Sequence, residues 1–122
     1  MGYYMSQQNA EFYIKADDVP QALTALQKWG ANVDFDEMKN AKDFSEAMWL
    51  YGFQVEFDKN GNCTDILFEY DKLRDQNELL AVIAPYVTEG SFLQMIGEDD
   101  AMWRWVFRNG ALDEISAKIV WE

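Results

Sequence analysis

Histidine is absent from all 122 residues, cysteine occurs once and proline twice. Without an imidazole there is no Ser-His-Asp or Cys-His nucleophile and no histidine metal ligand. The lone thiol, Cys63, excludes an intrachain disulfide and suits a reducing compartment. Neither a GxxxxGK[ST] phosphate loop nor a GxGxxG turn is present. No apolar stretch approaches the ~20 residues of a membrane span. The opening "MGYYMSQQ" has neither the basic start nor the apolar middle of a signal peptide, and with Gly2 only Ser6 matches a myristoylation pattern. These absences lead us to expect a cytoplasmic protein with no membrane contact, no catalytic set, no cofactor and no metal.

Cations are scarce as well. Ten Lys and Arg face 22 Asp and Glu, a formal charge of −12. Such a field repels phosphates, because nucleic-acid binding needs cations to replace counterions. Direct nucleic-acid binding is therefore not expected, and the favoured partner is a basic protein, above all a nucleic-acid-binding effector. The plain alternative is that acidity keeps a small protein soluble.

Apolar residues make up 49% and aromatics 16%, enough for a packed core and too many for a disordered tail. The length fits a single domain over 1–122 that needs no covalent staple.

Along the chain, "EFYIK" (11–15) alternates as a half-buried strand. A helix follows, with Asp18 as its cap, Pro20 in its first turn and Gly30 as its stop. Residues 31–42 read as a loop. Residues 43–52 form a second helix, with Asp43 and Glu46 as a capping box. "FQVEFD" (53–58) and "TDILFEY" (64–70) flank "KNGN" as a hairpin. A third helix spans 75–87, capped by Asp75 with Glu78 three residues on. Strands at 91–97, 102–108 and 112–121 complete the chain, with turns at "EDD" (98–100) and "NG" (109–110). This order predicts an α+β fold: a ferredoxin-like βαββαβ core with an inserted helix and a C-terminal β-hairpin extension. Its sheet is antiparallel or mixed, with helices on one face.

"MWRWVFR" (102–108) invites comparison with a base-stacking or sugar-binding platform. Alternation instead sends Trp103, Trp105 and Phe107 to one side, where large rings meet the helices. Arg104 then lies on the other side, placed to pair with acids of neighbouring strands. A stacking platform needs basic surroundings, and "GEDD" precedes this strand. "DKNGNCTD" (58–65) alternates Asp58, Asn60 and Asn62 like a calcium loop, but lacks the spacing and the terminal glutamate, and reads as a turn.

Charge pattern supplies the candidate site. Alternation puts Gln54, Glu56 and Asp58 on one outer strand face, with Asp65 and Glu69 on the same face of the returning strand. Asp71 and Asp75 follow, and Glu98, Asp99 and Asp100 form the later acidic turn. Like charges across a strand pair are destabilising, so folding gains nothing from this arrangement. We expect these nine carboxylates to bind the basic partner, some standing where backbone phosphates would.

"GYYM" (2–5), "FDKNGNCTDILFEYDKL" (57–73), "IAPYVTEGSFLQMIGEDDAMWRWVF" (83–107) and "KIVW" (118–121) resemble a family of small acidic proteins encoded by bacteria and phages. That family has no assigned activity, so the resemblance transfers no site residues. It implies a cytosolic setting, often on mobile or phage DNA. The expected function is then a non-enzymatic inhibitor of a nucleic-acid-handling host defence complex, of anti-CRISPR or anti-restriction type. The alternatives are an immunity protein that neutralises a basic toxin such as a nuclease, and an adaptor that self-associates through an edge strand.

Overall fold

The polar stretch "MSQQNAE" forms the first strand, β1 (Met5–Glu11), in the computed structural model, which describes residues 3–70 and 75–117. The expected strand at 11–15 is thus displaced. Phe12 and Ile14 are buried there, but Ile14 makes only an isolated antiparallel bridge, exchanging two 2.9 Å hydrogen bonds with Cys63. A 3-10 turn (Ala16–Asp18) leads into α1 (Val19–Asn32), which buries Ala22, Leu26 and Gly30. Gly30 does not end the helix. A Cβ there would stand 2.7 Å from the Lys39 nitrogen and 2.8 Å from Met38 Cβ, so glycine lets the next helix approach.

That helix is α2 (Asp36–Lys39), inside the segment expected to be loop, and its Met38 is fully buried. In α3 (Phe44–Trp49), Asp43 caps as expected, accepting the Glu46 N–H at 2.8 Å. In α4 (Gln76–Ile83), followed by a 3-10 turn through Pro85, the Asp75 side chain makes no such bond. Its backbone carbonyl accepts the Glu78 N–H instead.

Among the described residues six strands pair antiparallel in two sheets. β2 (Phe53–Phe57) and β3 (Cys63–Phe68) form one. β1, β4 (Phe92–Gly97), β5 (Met102–Arg108) and β6 (Ala111–Ser116) form the other, in the order β1-β4-β5-β6. The α+β class therefore holds, but the single βαββαβ sheet does not form. β3 lies beside β1 without joining its ladder, and one side chain links them. Gln7 Nε2 donates to the Ile66 carbonyl and Gln7 Oε1 accepts the Phe68 N–H, both at 2.9 Å, so its amide stands in for a peptide group. An extra residue at Gln8 makes a bulge, since Gln7 pairs with Met95 but Asn9 with Gln94. Residues 118–121 of the expected last strand lie outside the described residues.

The two Asn-Gly turns differ. Asn109 and Gly110 both have positive φ (54° and 72°), which makes a two-residue hairpin turn between Arg108 and Ala111. In the first hairpin only Gly61 is left-handed (φ 87°) and the loop is longer, closed by Asp58 N–H to the Asn62 carbonyl at 3.0 Å.

Leu93, Met95, Trp105 and Phe107 pack with Leu26, Leu79, Leu80 and Ile83 in one core that also takes Phe53 and Ile66 from the hairpin. The aromatic row is therefore core. Trp105 and Phe107 are buried and Trp103 is half-buried, edge-on to Trp105 at 5.8 Å. Trp105 Nε1 donates to Glu114 at 2.9 Å, whereas the buried Trp103 Nε1 has no partner among the described residues. No helix among those residues is long and apolar enough to cross a membrane.

Candidate functional site

The β2–β3 hairpin turns Phe53, Val55, Ile66 and Phe68 to the core, so strand alternation turns Gln54, Glu56, Asp65 and Leu67 outward. Register then sets Glu56 directly opposite Asp65 and Gln54 opposite Leu67. Both carboxylates are exposed, and neither has an ion-pair partner among the described residues. Among the described residues the Asp65 carboxylate accepts only the N–H of its neighbour Ile66, at 2.8 Å. Exposed Glu69 continues this face, its N–H bonded to the Gly52 carbonyl at 2.7 Å. Between Asp65 and Glu69, Leu67 is 46% exposed, an apolar point among carboxylates. Because Gln7 holds β3 beside β1 without a ladder, the sheets diverge there. A cleft of about 270 Å³ opens, lined by Gln7, Asn9, Gln54, Glu56, Asp65 and Leu67 among others.

Glu56, Asp65 and Glu69 are thus brought together on one face of the hairpin, whereas Asp58, Glu98, Asp99 and Asp100 lie in turns and Asp75 at the start of α4. Asp58 closes the hairpin turn. Its Oδ1 accepts the N–H groups of Asn60 (2.9 Å) and Asn62 (3.0 Å), and its Oδ2 accepts the Asn62 side-chain amide at 2.9 Å. Those bonds, the Asn62 side chain first, hold its carboxyl below the usual range. They also explain the alternating Asp-Asn-Asn pattern as turn chemistry. Asp99 has a comparable job at the β4–β5 turn, where it accepts the Tyr3 hydroxyl and the Ala101 N–H. The Tyr3 bond holds the Asp99 carboxyl low, and donation to Asp99 pushes the Tyr3 phenol up to about 12. Asp100 sits beside it in left-handed backbone (φ 64°), and the Glu98 N–H binds the Tyr4 carbonyl at 2.8 Å.

The Asp58 turn abuts Ala16, whose N–H binds Asn62 Oδ1, whereas the Glu98–Asp100 turn abuts Tyr3 and Tyr4. Ala16 follows β1 and Tyr3 and Tyr4 precede it, so the two turns adjoin chain on opposite sides of that strand. Asp75 is exposed at the start of α4, and Asp71 lies outside the described residues.

Gln7 and Asn9 are the cleft residues that sequence reasoning missed, because the strand carrying them shows no apolar alternation. Leu67 was legible, since the same alternation that exposes Asp65 and Glu69 exposes it. Cys63 is buried, and that burial pushes its thiol up to about 12, the reverse of an activated nucleophile. Among the described residues no three His, Cys, Asp or Glu side chains converge as a metal site. Comparison with family models, with curated proteins and with solved structures gave no match.

Proposed function

We propose that the protein is a non-enzymatic acidic binding protein. Its β2–β3 face occupies a basic groove on a nucleic-acid-handling protein, as an inhibitor of a host defence complex does. The observation that carries this reading is the Glu56–Asp65 cross-strand pair, which has no counter-charge among the described residues. Such a like-charge pair costs the fold roughly 0.2–1 kcal/mol, a cost that a basic partner reverses. Leu67 supports a protein partner over acidity for solubility alone, because interfaces combine an apolar centre with a charged rim. The same carboxylates speed encounter with a cationic surface and make the association salt-sensitive.

The test is affinity capture from host lysate, at low and at physiological salt, comparing wild type with the variant Glu56→Gln, Asp65→Asn, Glu69→Gln. Asp58 is left intact because it holds the turn. A nucleic-acid-binding protein retained by wild type and lost by the variant supports the reading. A partner held equally by both moves the interface to another face, and no partner at all returns the acidity to solubility.

A further inference from the structure

The face of the four-stranded sheet opposite the one that carries Leu93, Met95, Trp105 and Phe107 into the core has a different chemistry, independent of the hairpin. Alternation placed Arg104 to pair with acids of neighbouring strands, and among the described residues it does not. Its guanidinium lies over the Phe92 ring, 4.4 Å from the centroid, within cation–π range. Its Nε–H donates to Gln94 Oε1 at 2.9 Å, and Gln94 Nε2 in turn donates to Gln8 Oε1 at 3.1 Å. A ring below and a relay of two amides at its side thus fix the plane of the guanidinium. Its Nη groups have no partner among the described residues. In a chain with 22 acidic residues, this arginine is oriented by a ring and an amide, with its fork unpaired among the described residues.

Beside it, between β5 and β6, is a depression of about 130 Å³ whose walls include Met102, Ile115 and Ala117. Ile115 stands directly opposite Arg104 in the register and is 39% exposed. The volume matches roughly four waters at ~30 Å³ each, well below the ~300 Å³ or more of drug-sized and cofactor sites. A planar fork above short apolar walls matches a carboxylate with a short aliphatic tail: two oxygens for the Nη groups, and methylenes against Met102 and Ile115. One carboxylate shares this face, Asp113, opposite Val106 and two residues from Ile115, and it opposes an anion; charges beyond ~8 Å are largely screened at physiological salt. A second cation, Arg108, lies four residues on along the same face of β5.

We infer that this depression is a binding site for a small aliphatic carboxylate, with Arg104 gripping the anion and Met102 and Ile115 covering the tail. The test is an NMR titration of the full chain at 0.15 M NaCl with sodium hexanoate, and separately with hexanol and hexylammonium, following the Arg104 Nε–Hε signal and the Met102 and Ile115 methyls. Hexanoate is expected to give saturable shifts of all three signals at millimolar concentrations, with hexanol and hexylammonium at least ten-fold weaker. Arg104→Gln, an exposed change, should weaken hexanoate at least ten-fold while leaving amide signals on the helices unmoved. Arg104→Lys should recover only part of the affinity, because it restores the charge without the fork. Equal binding of hexanol, or hexanoate shifts that leave the Arg104 signal in place, would overturn the assignment. So would the absence of any saturable shift.

Discussion

The two sheets present outward faces of opposite character. On the β2–β3 hairpin, Glu56 and Asp65 oppose each other beside an exposed Leu67, with no counter-charge among the described residues. On the four-stranded sheet, Arg104 is seated on Phe92 and braced by Gln94. Both faces are built by the same alternation, and both inner faces feed one core. The difference shows that the core constrains only every second residue. The residues between are free to be arranged for something other than stability: repulsion on one sheet, a held cation on the other.

The largest effect should separate inner from outer positions. Trp105→Ala removes a ring that is 1% exposed and should cost about 3–5 kcal/mol, a large share of a typical ~5–15 kcal/mol total. Leu67→Ala, at an outward position, should stay within about 0.5 kcal/mol. Urea unfolding of both variants checks this, and a Leu67 cost near that of Trp105 would erase the distinction.

Next comes the joint between the sheets. Gln7→Leu leaves the Ile66 carbonyl and the Phe68 N–H without their partner, for about 1–3 kcal/mol. Amide exchange should then quicken at Phe68 and not at Trp105, and uniform quickening would mean that the sheets open as one unit.

A smaller effect has the opposite sign. Glu56→Gln relieves the cross-strand repulsion and should raise stability by roughly 0.2–1 kcal/mol, measurable as a higher urea midpoint. A loss instead would mean that Glu56 has a stabilising role, and would weaken the case for a face shaped by a partner.

The smallest effect is a titration. Tyr3 is raised from its ordinary value near 10 to about 12, so its tie to Asp99 is intact below pH 10 and fades as pH rises through 12. On the acid side, Asp99 is held below the usual carboxylate range, so the tie is lost only as pH falls past that range. Ultraviolet titration should show one tyrosine ionising near pH 12, and Tyr3→Phe should abolish that step.

Much of the architecture was legible because local chemistry and tertiary demand agreed. Phe53, Val55 and Ile66 alternate as a half-buried hairpin must, Asn109-Gly110 adopts the positive φ that its turn needs, and Asp43 caps α3. Asp75 looked equally suited to its helix, yet its side chain does not cap. The first strand was hidden because its residues answer to pairing with β4 and to the Gln7 bridge rather than to an apolar face. For the same reason the split into two sheets was not readable, since nothing local says that an amide side chain replaces a ladder. Of the candidate site, the Glu56, Asp65 and Glu69 face followed from the period of two alone. Asp58 and Asp99 obeyed the same charge pattern but are occupied by their own turns, a distinction that only hydrogen-bond partners reveal.

Strand β6 borders only β5, so among the described residues its far edge is an unpaired row of peptide groups, with Asp113 and Glu114 at its middle. Two molecules meeting edge to edge about a two-fold axis there would bring each of these acids against the same acids of the other copy. At neutral pH the strand therefore repels its own likeness, the guard that exposed edges need against runaway stacking. Asp113→Asn removes part of that guard and leaves the edge a better template. That variant should turn a clear solution of this protein into one that scatters light while the fold itself stays intact.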